Sequence, residues 1–150
     1  EARDTLAEKR DRLESTPSIL PTRGYVTSVF SRSRMHPILD VARPHEGIDI
    51  TAPTGTPIMA AAKGSVRFVG TDGGYGLSIE VDHGYGVVTR YAHASKALVK
   101  HGQQVQRGDT IGLVGQTGLA IGPHLHYEVL VNGKATNPRQ WFLNVDKVAD

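Results

Sequence analysis

A chain of 150 residues is long enough for one well-buried core and too short for two ordinary domains. Its net charge of +2 and sequence pI near 9.0 suit a polyanionic partner such as a cell wall, but no dense Lys/Arg block argues for nucleic acid. The absence of cysteine excludes disulfides and thiolate metal sites, and no apolar run approaches the roughly 20 residues that cross a bilayer. The first residues carry no signal-peptide core, and the abrupt start at Glu1 reads as that of a mature or trimmed piece of a longer protein.

Residues Glu1 to Ser15, "EARDTLAEKRDRLES", lack Gly and Pro and are rich in helix formers, with Leu6 and Leu13 one heptad apart. We read segment 1–16 as a charged helix. It is either the end of a coiled coil, implying an upstream or regulatory partner, or an exposed helix resting on the domain; two leucines do not decide. Pro17 and Pro21 interrupt it, so 17–24 reads as a linker and 25–150 as one domain.

From Tyr25 the pattern becomes short strands with Gly-rich punctuation, the mark of an all-β domain of antiparallel sheets with tight turns. "YVTSVF" is a strand, "SRSRMHPILDVARPHEG" a long polar loop, and "IDI" the next strand. "TPIMAAAKGSVRFVG", "LSIEVDHG", "GVVTRYAH", "ALVKHGQQVQRGDTIGLVG" and "HLHYEVLVNG" follow as further strands. "DGGYG" and "HGYG" read as hairpin turns, and the aromatic pair in "NPRQWFLNVDKVAD" packs back on the sheet. In "GVVTRYAH", simple alternation places Val87, Thr89, Tyr91 and His93 on one face.

In "GPHLHYEV", His124, His126 and Glu128 share one face while Leu125, Tyr127, Val129 and Val131 share the apolar one. The two imidazoles therefore project together toward a groove or solvent. "RPHEGIDI" supplies His45 and Asp49 across a glycine-containing loop that runs into a strand. A zincin helix is rejected there, because Pro44, Gly47 and the following β-run disfavour helical backbone and Asp49 stands where a second histidine is needed. Catalytic zinc takes three protein ligands of nitrogen and oxygen and keeps one open position. His45, Asp49 and one of His124 and His126 would complete that set. The other ring would then handle the proton of a water whose pKa the ion lowers from about 15.7 toward about 7.

The segments "HEGIDITAPTGTPIMA", "YGLSIEVDHGYGVVTRYAHAS", "VKHGQQVQRGDTIGLVGQTG" and "GPHLHYEV" resemble the lysostaphin/LytM-type (M23 family) zinc peptidases of bacterial cell walls, over roughly Tyr25 to Pro138. The resemblance implies one zinc ion per chain held by His45, Asp49 and His126. It makes His93 and His124 the catalytic pair, which orient or deprotonate the water and steady the tetrahedral intermediate. It further implies an open groove, peptidoglycan stem peptides as substrate, cleavage of their cross-bridges, and a periplasmic or extracellular place in the bacterial envelope. A charged helix ahead of the domain resembles envelope-anchored relatives and favours a D,D bond. Ile121 and Tyr127 depart from common family residues at positions without chemistry.

Two other readings compete. In one, the chain is a catalytically silent wall-binding module or an activator of other hydrolases, which the intact motif positions disfavour. In the other, "VQRGDTIGLVG" and "AAAKGSVRFVG" belong to a biotinyl or lipoyl carrier with Lys63 as the modified residue, although its flanks lack the usual neighbours. Arg34 and His36 are either substrate contacts or plain loop contacts, His83 reads as structural, His101 as an exposed turn residue, and Tyr91 as packing or groove lining.

Overall fold

The structure, a computed structural model, describes residues 5–36, 41–118, 120 and 122–142, with side chains described outside 32–36 and 41–45. Helix α1 (Leu6–Glu14) starts at a capping box, in which Thr5 Oγ1 accepts from Glu8 N at 3.1 Å and Glu8 Oε1 accepts from Thr5 N at 2.8 Å. None of its residues is buried, and Leu6 and Leu13 are 83% and 71% exposed. Polar contacts fasten it instead. Asp11 pairs with Lys63 and accepts from Tyr85 Oη at 2.7 Å, while Arg107 Nη2 donates to the carbonyls of Leu13 and Thr16 at 2.6 and 3.0 Å. Lys63 also reaches Glu14, so its ammonium is engaged rather than offered at a hairpin tip as a carrier lysine would be.

Twelve strands follow among the described residues: β1 (Tyr25–Ser28), β2 (Ser31–His36), β3 (Val41–His45), β4 (Ile48–Thr51), β5 (Pro57–Met59), β6 (Gly64–Thr71), β7 (Leu77–Gly84), β8 (Val87–Ala97), β9 (Gln104–Val105), β10 (Thr110–Val114), β11 (His124–Val131) and β12 (Lys134–Thr136). The main sheet runs β1-β4-β11-β8-β7-β6-β9, with β10 joining β5 to β8 and β12 extending β11. Every pairing is antiparallel, so the expected all-β class holds. One expectation fails. The stretch read as a long polar loop contains the ribbon β2–β3, with Ser31 opposite His45 and Arg34 opposite Arg43. A ribbon whose residues show no apolar alternation gives no burial signal, and its backbone pairing is invisible in composition. Residues 37–40, between its strands, lie outside the described residues.

The core gathers Ile48, Ile50, Ile58, Ile79, Val81, Tyr91, Ile111, Leu125, Tyr127 and Val129, all fully buried. Alternation along β11 and β4 puts these side chains on one face and leaves the other for polar groups. Trp141 and Phe142 close the core from the C-terminal side, with Phe142 stacked on Tyr127 at 6.4 Å between ring centroids. Tyr91 belongs to this core and not to a groove: its hydroxyl accepts from Ala61 N at 3.0 Å and lies 2.7 Å from Thr89 Oγ1. His83 is structural, as its sequence position suggests. Its Nδ1–H donates to the Lys63 carbonyl at 2.8 Å, Nε2 lies 2.8 Å from Thr89 Oγ1, and burial lowers its pKa below the ordinary histidine value.

Gly47 decides how closely β4 approaches β11. A Cβ there would stand 2.2 Å from the Tyr127 carbonyl oxygen and 2.9 Å from Glu128 Cγ, distances no real methyl tolerates. Gly47→Ala is therefore expected to lower folding stability by about 1–3 kcal/mol through overpacking. Urea denaturation against the parent chain measures it, and an unchanged midpoint would show that the strands separate freely.

Candidate active site

Strand pairing assembles the site. In the β4–β11 register Asp49 lies opposite His126 and Thr51 opposite His124, while in the β8–β11 register Ala92 lies opposite His126 and Arg90 opposite Glu128. His126 Nδ1 sits 2.9 Å from Asp49 Oδ1, and its Nε2 sits 2.8 Å from Glu128 Oε2. His124 Nε2 is 3.8 Å from the same Asp49 oxygen, and its Nδ1–H donates to the Gly122 carbonyl at 2.9 Å.

His93 joins this group, with ring centroids 4.7 Å from His124 and 6.1 Å from His126. Strict alternation had put it on the face of Tyr91, and the structure corrects that. Between the pairs Ile79 to Tyr91 and Leu77 to Ala94, β8 spends three residues where β7 spends two. The extra residue is a bulge, and His93 occupies it with φ of +63°. A left-handed backbone at a residue other than glycine costs roughly 1–2 kcal/mol, so its neighbours must impose it. One such restraint is the His93 Nδ1–H, which donates to the Thr117 carbonyl at 2.6 Å. Thr117 is itself anchored, with Oγ1 donating to the Ala94 carbonyl at 2.8 Å and accepting from Leu77 N at 3.0 Å. The β6–β7 tip packs against it at Gly76, where a Cβ would meet the Thr117 carbonyl carbon at 2.5 Å and φ is +68°.

Charged neighbours cover the His126 side of this polar face, whereas His124 and Asp49 stay partly exposed. Glu128 accepts from Tyr75 Oη at 2.8 Å and from Arg90 Nη1 at 3.0 Å, and Arg90 Nε donates to Glu80 at 3.0 Å. Sequence reasoning placed Glu128 on the correct face but missed Tyr75, Arg90, Glu80 and Thr117. Their signal is the register between distant strands, which no local pattern carries.

Electrostatics separates the rings. Burial works against charge on His126, but hydrogen bonds to Asp49 and Glu128 outweigh it and push its pKa up to about 9. Burial dominates at His93 and lowers its pKa to about 4, so this ring is neutral near neutral pH. With Nδ1–H committed to Thr117, neutral His93 keeps a lone pair on Nε2.

The donor chemistry suits a borderline metal. A buried imidazole between two carboxylates calls for positive charge, and the Nδ1–Asp49 contact pairs a nitrogen donor with an oxygen donor. Among the described residues no set of three donors is arranged as a ready metal cage. His45 ends β3, directly before the Gly47 approach, and its side chain lies outside those described, as do those of Arg34 and His36. His101 is exposed in a turn.

An antiparallel sheet presenting a histidine–aspartate pair flanked by two further imidazoles defines a β-protein with a candidate hydrolytic metal centre. Residues 43–138 match Peptidase family M23. The DD-carboxypeptidase/endopeptidase Mpg of Neisseria meningitidis is 50% identical over 105 residues, covering 70% of this chain and 24% of that protein. A zinc-containing peptidase from Vibrio cholerae superposes with a TM-score of 0.77 at 37% identity, over 84% of this chain and 40% of that one. The catalytic domain of the antimicrobial peptidase lysostaphin from Staphylococcus simulans gives a TM-score of 0.70 at 28% identity, over 78% and 90%. The chain belongs to peptidase family M23. It spans about a quarter of the length of the curated relatives it matches.

Proposed function

We propose that this chain is a zinc-dependent endopeptidase that hydrolyses peptide cross-bridges of peptidoglycan, a D,D-endopeptidase working in the periplasm or outside the cell of a bacterium. His45, Asp49 and His126 hold one zinc ion, and His93 and His124 act on the water. The observation that carries this reading is the 2.9 Å contact between His126 and Asp49, with two imidazoles beside it. The D,D bond is supported by the name of the Neisseria relative, and zinc by that of the Vibrio cholerae structure. An envelope location follows from the substrate; among the described residues no helix is long and apolar enough to cross a membrane.

Bound zinc would supply Lewis acidity, acidifying water and polarising the scissile carbonyl. The chain's own residues do the rest. The Thr117 and Gly122 carbonyls accept from Nδ1–H of His93 and His124, which leaves Nε2 of each ring as the nitrogen able to take a proton. One ring takes a proton from water as the water oxygen bonds to the peptide carbonyl carbon. That imidazolium becomes an N–H donor beside the developing oxyanion. It then gives its proton to the amine nitrogen as the C–N bond breaks.

The purified chain is expected to bind one equivalent of zinc and to release D,D-cleaved fragments from peptidoglycan sacculi, with release abolished by a chelator. Mass spectrometry of the fragments and elemental analysis of the protein make the test. No zinc and no release would instead leave a silent wall-binding module.

A further inference from the structure

We infer that Glu128 is a positioning residue that reserves Nδ1 of His126 for the metal by keeping the ring's proton on Nε2. The inference rests on the reading of His126 as a zinc ligand. Glu128 is 1% exposed, and three groups surround its carboxylate. Oε1 accepts from Arg90, while Oε2 accepts from the Tyr75 hydroxyl and faces His126 Nε2 at 2.8 Å. A carboxylate oxygen only accepts, so the nitrogen against it must carry a proton. Asp49 holds Nδ1 by the same rule, so the metal-free ring carries both protons; an ion shared with Asp49 would replace the one on Nδ1 and leave Nε2–H on Glu128.

Glu128 cannot easily turn away. Glu80, Arg90 and Glu128 stand directly opposite one another on β7, β8 and β11, so alternating charges run across the sheet toward the histidine. Arg67 continues the line, donating to Glu80 at 2.8 Å. Arg90 also lies over the Tyr75 ring at 4.7 Å, and Tyr75 packs against His126 at 5.6 Å between centroids. A residue that merely balanced Arg90 would need only Oε1. The second oxygen is spent on the ring and on Tyr75.

Glu128→Gln separates these roles, because it preserves volume and reverses the donor pattern. The Arg90 guanidinium is donor-only, so the amide oxygen must face it and the amide NH₂ must face His126 Nε2. The ring would then have to accept at Nε2 and carry its proton on Nδ1, the nitrogen the metal needs. Zinc competition with a chromophoric chelator should show binding weaker by about 10- to 100-fold than in the parent chain, the range for loss of such a partner. The ¹⁵N spectrum of the zinc-loaded parent chain should show Nε2 of His126 protonated and Nδ1 metallated. This second measurement stands even if the variant does not fold. A folded variant that binds zinc within about threefold of the parent, or a parent with zinc on Nε2, overturns the inference and leaves the proposed activity intact. A parent chain that takes up no zinc overturns both.

Discussion

Asp49→Ala and His126→Ala are expected to abolish stoichiometric zinc uptake and, with it, release of peptides from sacculi. Three protein ligands are the usual minimum for a catalytic zinc, and losing one should weaken binding by more than the roughly 100-fold upper range seen for a supporting partner. His45→Ala should behave the same way. His126→Ala also strips the partner from two carboxylates, Asp49 and the buried Glu128, so some of its deficit will be instability. Asp49→Asn, which keeps size, isolates the metal effect. Elemental analysis after dialysis reads the outcome, with circular dichroism to confirm folding. Zinc lost in His124→Ala but retained in His126→Ala would reverse the assignment of the two rings.

His93→Ala and His124→Ala should do the opposite, retaining one zinc while kcat falls by about 10²- to 10⁴-fold, the usual contribution of a positioned acid–base group. The rings lie 4.7 Å apart and on the proposed mechanism would act on one water, so the double variant should fall little further than the worse single one. KM should change less than kcat, because neither ring is assigned to holding the substrate. Steady-state kinetics on a defined cross-linked dimer makes the comparison. If either single variant keeps more than about a tenth of the parent turnover, that ring is not the proton carrier.

Regular strands were legible and irregular ones were not. The division of β11 into His124, His126 and Glu128 against Leu125, Tyr127 and Val129 follows from a two-residue period that nothing interrupts between 124 and 131. The same rule misplaced His93, because the bulge that turns it is set by pairing with β7 and by the Thr117 carbonyl, both far away in the chain. The ribbon of β2 and β3 escaped because it presents no apolar stripe. Helix α1 was readable from its composition, whereas its fastening by Lys63, Tyr85 and Arg107 depends on long-range contacts. For His45 the assignment still rests on family likeness.

The tip between β6 and β7 is only five residues long, Asp72 to Gly76, yet it braces two separate imidazoles: Gly76 abuts the support of His93, and Tyr75 holds the carboxylate behind His126. Insertion or deletion of a single residue there would loosen the proposed base and the proposed ligand together. The opposite turn at Gly133 leaves open space for a methyl but has a φ of +84° that favours glycine, and a Cβ on Gly86 beside it would stand 2.2 Å from Asn132 Oδ1. Both ends of the sheet thus constrain substitution, but the tip at Asp72 to Gly76 does so through the supports of the histidines.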